Sequence, residues 1–270
     1  MHLKLKRLFP SGRDALNEER PASLGEVEGS PVANPPNKNP ALERDISNGL
    51  DVIRKLLASS DEQIRSREFV LSCLLQFGIS YNDWPLLSRY TNYINSSLFG
   101  VLQIPTEFTD FILEISKHEI STAIEVGVFR GGSSYFIAAV LQRINPNVRY
   151  TMVDIEDHLI AYDQFSALLN LERRIPATST DFAGQSFDLA FLDADHSYDS
   201  TKADFINVGR HARKLCAFHD IHGHEYDHLN GGVVRCWNEV RDALAPTNRI
   251  VEFAHNPARW MGIGLVEMNS

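Results

Sequence analysis

Apolar residues recur at helical spacing through the first third of the chain, at Ile46, Leu50, Ile53 and Leu57 and then at Ile64, Phe69, Leu71, Leu74 and Leu75. Thr106 to Ile115 repeats the pattern, with Phe108, Phe111, Ile112 and Ile115 on one face of a predicted helix. Beyond that helix the period changes. Short apolar runs at Ala123 to Val126, Arg149 to Val153, Phe187 to Leu192 and Lys214 to Phe218 alternate with helical stretches. One such stretch starts at Ser133 and is carried by Phe136, Ile137, Val140 and Leu141; another starts near Ser200 and continues through Asp204 and Phe205. A weaker run near Ala177 to Ser179 reads as a further strand. Strands alternating with helices predict an α/β architecture around a mostly parallel sheet. Ile250 to Phe253 and Ile263 to Glu267 predict a final hairpin closing the sheet edge, with Gly262 and Gly264 permitting the close packing of a reversed last strand.

The junction from Ala123 to Ser134 reads as a buried strand turning through glycines into a helix. Glycine lets backbone approach a ligand where a Cβ would collide. The spacing is Glu125-x-Gly127-x-x-x-Gly131-Gly132, which is not the Gly-x-Gly-x-x-Gly of a dinucleotide site and needs no cradle for a pyrophosphate. The next strand ends on Asp154, and a carboxylate there can accept hydrogen bonds from both hydroxyls of a ribose. An ordinary solvated acid at a strand end is the competing reading, since Glu156 and Asp157 lie close by.

Polar residues crowd two later strand ends. Phe191-Leu192 runs into Asp193-Ala194-Asp195-His196, and Ala217-Phe218 into His219-Asp220. In open α/β sheets the carboxyl ends of the strands face the ligand crevice, so neighbouring strands would aim Asp193, His219 and Asp220 at one point. Oxygen and imidazole ligands converging with open positions suit a divalent metal. His196 is placed either to accept a proton or to orient Asp193 or Asp195.

These residues carry a resemblance. The glycine loop is similar to motif I of the class I S-adenosylmethionine-dependent methyltransferases. Phe191 to Asp204, Ala217 to Ile221 and Gly231 to Glu239 resemble the small-molecule group that includes cephalosporin-hydroxylase-like and macrolide-sugar O-methyltransferases. The likeness runs from about Gly100 to Gly264. It implies a Rossmann-like seven-stranded sheet over residues 101–270, an N-terminal helical cap over 41–100, and S-adenosylmethionine as cofactor. It implies that Glu125, Gly127, Gly131, Gly132, Ser133 and Asp154 surround the cofactor, with Asp181, by position, on its adenine amino group. It further implies that Asp193, His219 and Asp220 bind Mg2+ or another divalent cation, with His196 as general base and Asp193 in the catalytic set. His219 departs from metal-binding relatives that carry an acid there, which leaves metal dependence open. The expected reaction is O-methylation of a sugar or natural-product hydroxyl; a non-catalytic S-adenosylmethionine-binding protein and an NAD-dependent oxidoreductase are the alternatives.

Composition narrows the partners. The chain has 270 residues, 43% apolar and 23% charged, with a net charge of −9 and no basic stripe, which argues against nucleic acid and for a small-molecule substrate. Cys73, Cys216 and Cys236 are too far apart and odd in number for a disulfide framework. No run is long enough to span a bilayer and no secretory signal follows Met1 to Phe9, so a cytoplasmic enzyme is expected. Residues 1–40, rich in Pro, Asn, Ser, Gly and charge from Pro10 onward, read as a disordered tail. The cap helices could cover the substrate or form homo-oligomer contacts. Trp84, Tyr90 and Tyr93 could pack inside the cap or line a pocket. The stretch His219, His222, His224, Glu225, Asp227, His228 lacks the paired spacing of a zinc site and reads as a mobile lid.

Overall fold

The computed structural model describes residues 39–80, 99–255 and 260–269. The tail expected at 1–40 falls almost wholly outside these residues, as do Trp84, Tyr90 and Tyr93. Residues Ala41–Ser270 form one compact unit.

Seven strands form one sheet in the order β3-β2-β1-β4-β5-β7-β6. They are β1 Thr122–Val126, β2 Arg149–Val153, β3 Leu171–Arg174, β4 Leu189–Leu192, β5 Leu215–His222, β6 Arg249–Phe253 and β7 Met261–Glu267. The β1–β2, β2–β3, β1–β4 and β4–β5 pairings are parallel, and β7 runs antiparallel to both its neighbours. Parallel neighbours need crossovers, which the sequence supplies as helices. The helix Gly132–Ile144 joins β1 to β2, Tyr198–Asn207 lies between β4 and β5, and Gly232–Leu244 leads to β6. Successive strands move outward from β1 through β2 to β3, and from β4 through β5 to β6, with β7 inserted between β5 and β6. The crevice at their carboxyl ends is therefore centred between β1 and β4, where an open sheet of this kind binds its ligand.

The helices Pro40–Leu57, Asp61–Ile64, Arg67–Phe77 and Pro105–Ile115 share a core with one face of the sheet. The Phe77 ring meets Phe99 and Phe136 edge-on at 5.5 and 5.8 Å, and Phe111 lies 5.3 Å from Phe191 of β4. Pro105 starts its helix at the first turn, where a missing N–H costs nothing. Elsewhere Ser60 and Ser66 cap their helices by accepting from backbone N–H groups.

Two strands depart from expectation. The third strand is Leu171–Arg174 rather than Ala177 to Ser179. It is an edge strand with exposed Arg173 and Arg174, so it lacks the apolar signature of a buried one. The expected segment instead leads into a 3-10 turn at Ser179–Phe182. The fifth strand continues past Phe218 to His222, so His219 and Asp220 lie inside it, and a register shift against β7 falls between His219 and His222. The supposed lid is correspondingly shorter.

On the other face of the sheet, Trp237 packs 5.4 Å from Phe218, and its Nε1 donates to Glu252 Oε1 at 2.8 Å. A Cβ on Gly264 would lie 2.6 Å from three atoms of that indole. Gly264→Ala is therefore expected to destabilise the protein by about 1–3 kcal/mol through overpacking, read as a lowered urea midpoint with an unchanged slope.

Candidate functional site

A cavity of about 570 Å³ opens at the carboxyl ends of β1, β2, β4 and β5. Its base is set by one backbone approach. Gly127, at φ 88°, follows β1 directly, and a Cβ there would stand 2.2 Å from the Asp193 carbonyl oxygen at the end of β4. Only glycine allows the two strand ends this close. At the far end of the loop, a Cβ on Gly132 would meet the Phe99 and Gly100 carbonyls at 2.6 Å, which holds that preceding segment against the helix start.

Two carboxylates fix the loop between these glycines. Asp154 Oδ2 accepts from the Val128 and Phe129 amides at 3.0 and 2.9 Å, and its Oδ1 accepts from Ile155 N at 2.7 Å. Glu156 N also reaches Oδ1, at 3.4 Å, so the roughly four lone-pair positions of the carboxylate are all engaged and a ligand hydroxyl would displace this longest bond. Glu125 is fully buried beneath the loop. It accepts from Ser133 Oγ and Ser134 Oγ, both at 2.6 Å, and from Tyr150 OH at 2.7 Å, tying β1, β2 and the helix start together. Burial pushes its carboxyl up to about 7 against the pull of these three hydroxyls.

The cavity is lined by Gly127, Gly132, Ser133 and Asp154 of the expected cofactor set, but not by Glu125, Gly131 or Asp181. Glu125 faces inward from a central strand, and Gly131 supplies the left-handed turn that starts the helix. Asp181 caps its own 3-10 turn, accepting from Thr178 N at 2.8 Å. Instead Ala177, Thr178 and Ser179 line that side together with Asp204, a buried acid of the Tyr198–Asn207 helix that no sequence motif marks. Burial raises Asp204 to about 6, against a hydrogen bond from Ser179.

Across the cavity Asp193, His196, His219 and Asp220 converge, each offering one atom within 4.8 Å of the others. His219 Nδ1 lies 3.0 Å from Asp193 Oδ1 and 3.5 Å from Asp220 Oδ1; His196 Nε2 lies 2.9 Å from Asp220 Oδ2 and 3.7 Å from Asp193 Oδ1. The short His196–Asp220 approach is off hydrogen-bond alignment, so His196 Nε2 is left unsatisfied, as are His219 Nε2 and Asp220 Oδ1. Burial works against charge on the imidazoles, but Asp193 and Asp220 outweigh it and raise His196 to about 10 and His219 to about 9. Burial likewise opposes the charged form of Asp193, and the two histidines overcome it to hold the carboxyl well below the usual range. Asp195 stands apart, accepting from Ser197 N and Oγ.

Two residues that sequence reasoning missed complete this side. Tyr226 stacks on the His196 ring at 4.4 Å and 6°, and its OH donates to Asp220 Oδ2 at 3.3 Å. The turn expected to be a mobile lid is thus docked on the cluster. Gln103 Nε2 donates to Asp193 Oδ2 at 2.8 Å. Neither has a periodic or motif signature; only the tertiary approach of its segment brings it in.

Residues 124–221 match the family model of a methyltransferase domain. Among solved structures, the chain is similar to an O-methyltransferase from Bacillus cereus in complex with SAH, at 15% identity and a TM-score of 0.47, with 81% of this chain and 96% of that chain covered. It is also similar to the O-methyltransferase TomG from Streptomyces achromogenes, involved in tomaymycin synthesis and in complex with SAM, at 17% identity and a TM-score of 0.48, covering 85% and 99%. No curated protein matches the sequence. The matched residues, 124–221, run from β1 into β5 and so take in the glycine loop and both of the later polar strand ends. No helix among the described residues is long and apolar enough to cross a membrane.

Glu125 gives the fold a pH dependence. Its folded value of about 7 lies above the ordinary 4.5, so the native state holds a proton that the unfolded chain has released. Its contribution is fully present below pH 4.5 and is lost as pH rises through about 7, on the order of 3 kcal/mol. Urea denaturation from pH 5 to 8 should show this loss in the unsubstituted protein and a flatter profile in Glu125→Gln, whose amide mimics the protonated acid.

Proposed function

We propose that the protein transfers a methyl group from S-adenosylmethionine to a hydroxyl of a small molecule, a sugar or natural product. The observation that carries this reading is that the Asp154 and glycine-loop side and the four-residue cluster border one cavity. Asp154 would bind the ribose hydroxyls, and Ala177 to Ser179 with Asp204 would bind the adenine. Gly127, Gly132 and Ser133 would lie beneath the methionine part. Glu125 and Gly131 would act indirectly, by holding the loop in shape.

A divalent cation fits the cluster because two carboxylates and two imidazoles converge there with three of their atoms buried and unsatisfied. Asp193, His219 and Asp220 would hold it. The His219 imidazole beside two carboxylates favours an ion such as Mn2+, Fe2+ or Zn2+ over Mg2+, which prefers oxygen. Such an ion would supply positive charge to stabilise a developing alkoxide.

The chain's own part is alignment and proton transfer. The acceptor oxygen attacks the methyl carbon in line with the leaving sulfur, the C–S bond breaks as the C–O bond forms, and the hydroxyl proton passes to His196 Nε2. Asp193 and Asp220 outweigh burial and raise His196 to about 10, so the ring must first release its own proton to solvent before it can accept that of the hydroxyl. Tyr226 holds the ring from its other face.

Calorimetry tests the cofactor half. S-adenosylhomocysteine should bind and NAD should not, and Asp154→Ala should weaken S-adenosylhomocysteine by about 1.5–3 kcal/mol; NAD binding alone would overturn the reading. The cluster is tested by titrating Mn2+, which should bind at a single site, with Asp220→Asn weakening it by at least about tenfold while leaving S-adenosylhomocysteine affinity within about twofold. With an acceptor in hand, His196→Ala should lower turnover by about 10²–10⁴-fold.

A further inference from the structure

Gln103 sits in the segment ahead of the Pro105–Ile115 helix, lines the cavity and is only 3% exposed. Its amide nitrogen faces the Asp193 carboxylate, donating to Oδ2 at 2.8 Å, which fixes the orientation of the whole amide. The amide oxygen is thereby turned from Asp193, sealed from solvent and without any hydrogen-bond partner. A buried carbonyl left unpaired costs about 1–3 kcal/mol, so this oxygen is expected to have a donor when the site is filled.

Where Gln103 stands in the cavity narrows the donor. Asp154 marks one end of the glycine loop, and the other end packs on the Phe99 and Gly100 carbonyls, three to four residues before Gln103. A cofactor with its ribose at Asp154 and its methyl at the cluster leaves its amino-acid part on the Gln103 side. That part carries an ammonium with three N–H donors, the group an unpaired amide oxygen is suited to accept from. We propose that Gln103 Oε1 accepts a hydrogen bond from the α-ammonium of S-adenosylmethionine. Gln103 then binds the cofactor through its oxygen and steadies Asp193 through its nitrogen, joining the cofactor site to the cluster in one side chain. This rests on the cofactor reading above.

The test compares S-adenosylhomocysteine with its desamino analogue, which keeps the carboxylate and lacks the α-amino group, by calorimetry on the full chain. The unsubstituted protein should prefer S-adenosylhomocysteine by about tenfold or more, the range of one hydrogen bond to a charged group. Gln103→Met, which keeps the length but neither polar atom, should reduce that preference to within about twofold. Gln103→Glu, which keeps an acceptor, should preserve it. Equal binding of the two compounds by the unsubstituted protein overturns the proposal, leaves the cofactor reading standing, and makes the acceptor hydroxyl the better donor. A preference that survives Gln103→Met also overturns it, because the ammonium is then held elsewhere. Failure of the unsubstituted protein to bind either compound sinks the cofactor reading and the proposal together.

Discussion

The contact between Gly127 and the Asp193 carbonyl sets the geometry of the site. Two strands that are hydrogen-bonded neighbours end with their backbones touching, and everything chemical hangs from one side or the other of that contact. The glycine loop and Asp154 extend from β1 and β2; the carboxylates and imidazoles extend from β4 and β5. A side chain at position 127 would force these halves apart, and alignment of reacting atoms tolerates little such displacement. Glu125 acts one layer beneath, where three hydroxyl donors from two elements converge on a single carboxylate and stop the loop from shifting relative to the sheet.

The four-residue cluster is a balanced set of charges. Two carboxylates buried together would repel, and the two imidazoles set between them offset that repulsion. Buried charges persist only when paired in this way. The pairing is imperfect, however, since three nitrogen and oxygen atoms remain unsatisfied despite their closeness.

Much of this was legible in the sequence because buried parallel strands leave a plain trace, an apolar run that stops abruptly at polar residues. Asp193, His196, His219 and Asp220 were found that way, as was the glycine loop. The edge strand at Leu171–Arg174 left no such trace, since half of its side chains are solvated. Asp181 sits where a ligand-binding acid was expected, yet Thr178-x-x-Asp181 is a capping box whose carboxylate serves its own turn. Gln103, Tyr226 and Asp204 depend on segments meeting across the fold, and a lone glutamine or tyrosine in a loop carries no periodic signal to reveal that meeting.

The irregularity in β5 carries a consequence of its own. Consecutive residues of a regular strand point to opposite faces of the sheet, so His219 and Asp220 should not be able to serve one cluster. The register shift and the left-handed backbone of Asp220, at φ 57°, break that alternation and turn both side chains to the same place. A non-glycine residue in that conformation costs about 1–2 kcal/mol, a cost that aspartate bears better than most. Glycine would relax the backbone there and delete the carboxylate. At this one position chain stability and site chemistry therefore favour different residues, and the strand keeps the less comfortable one.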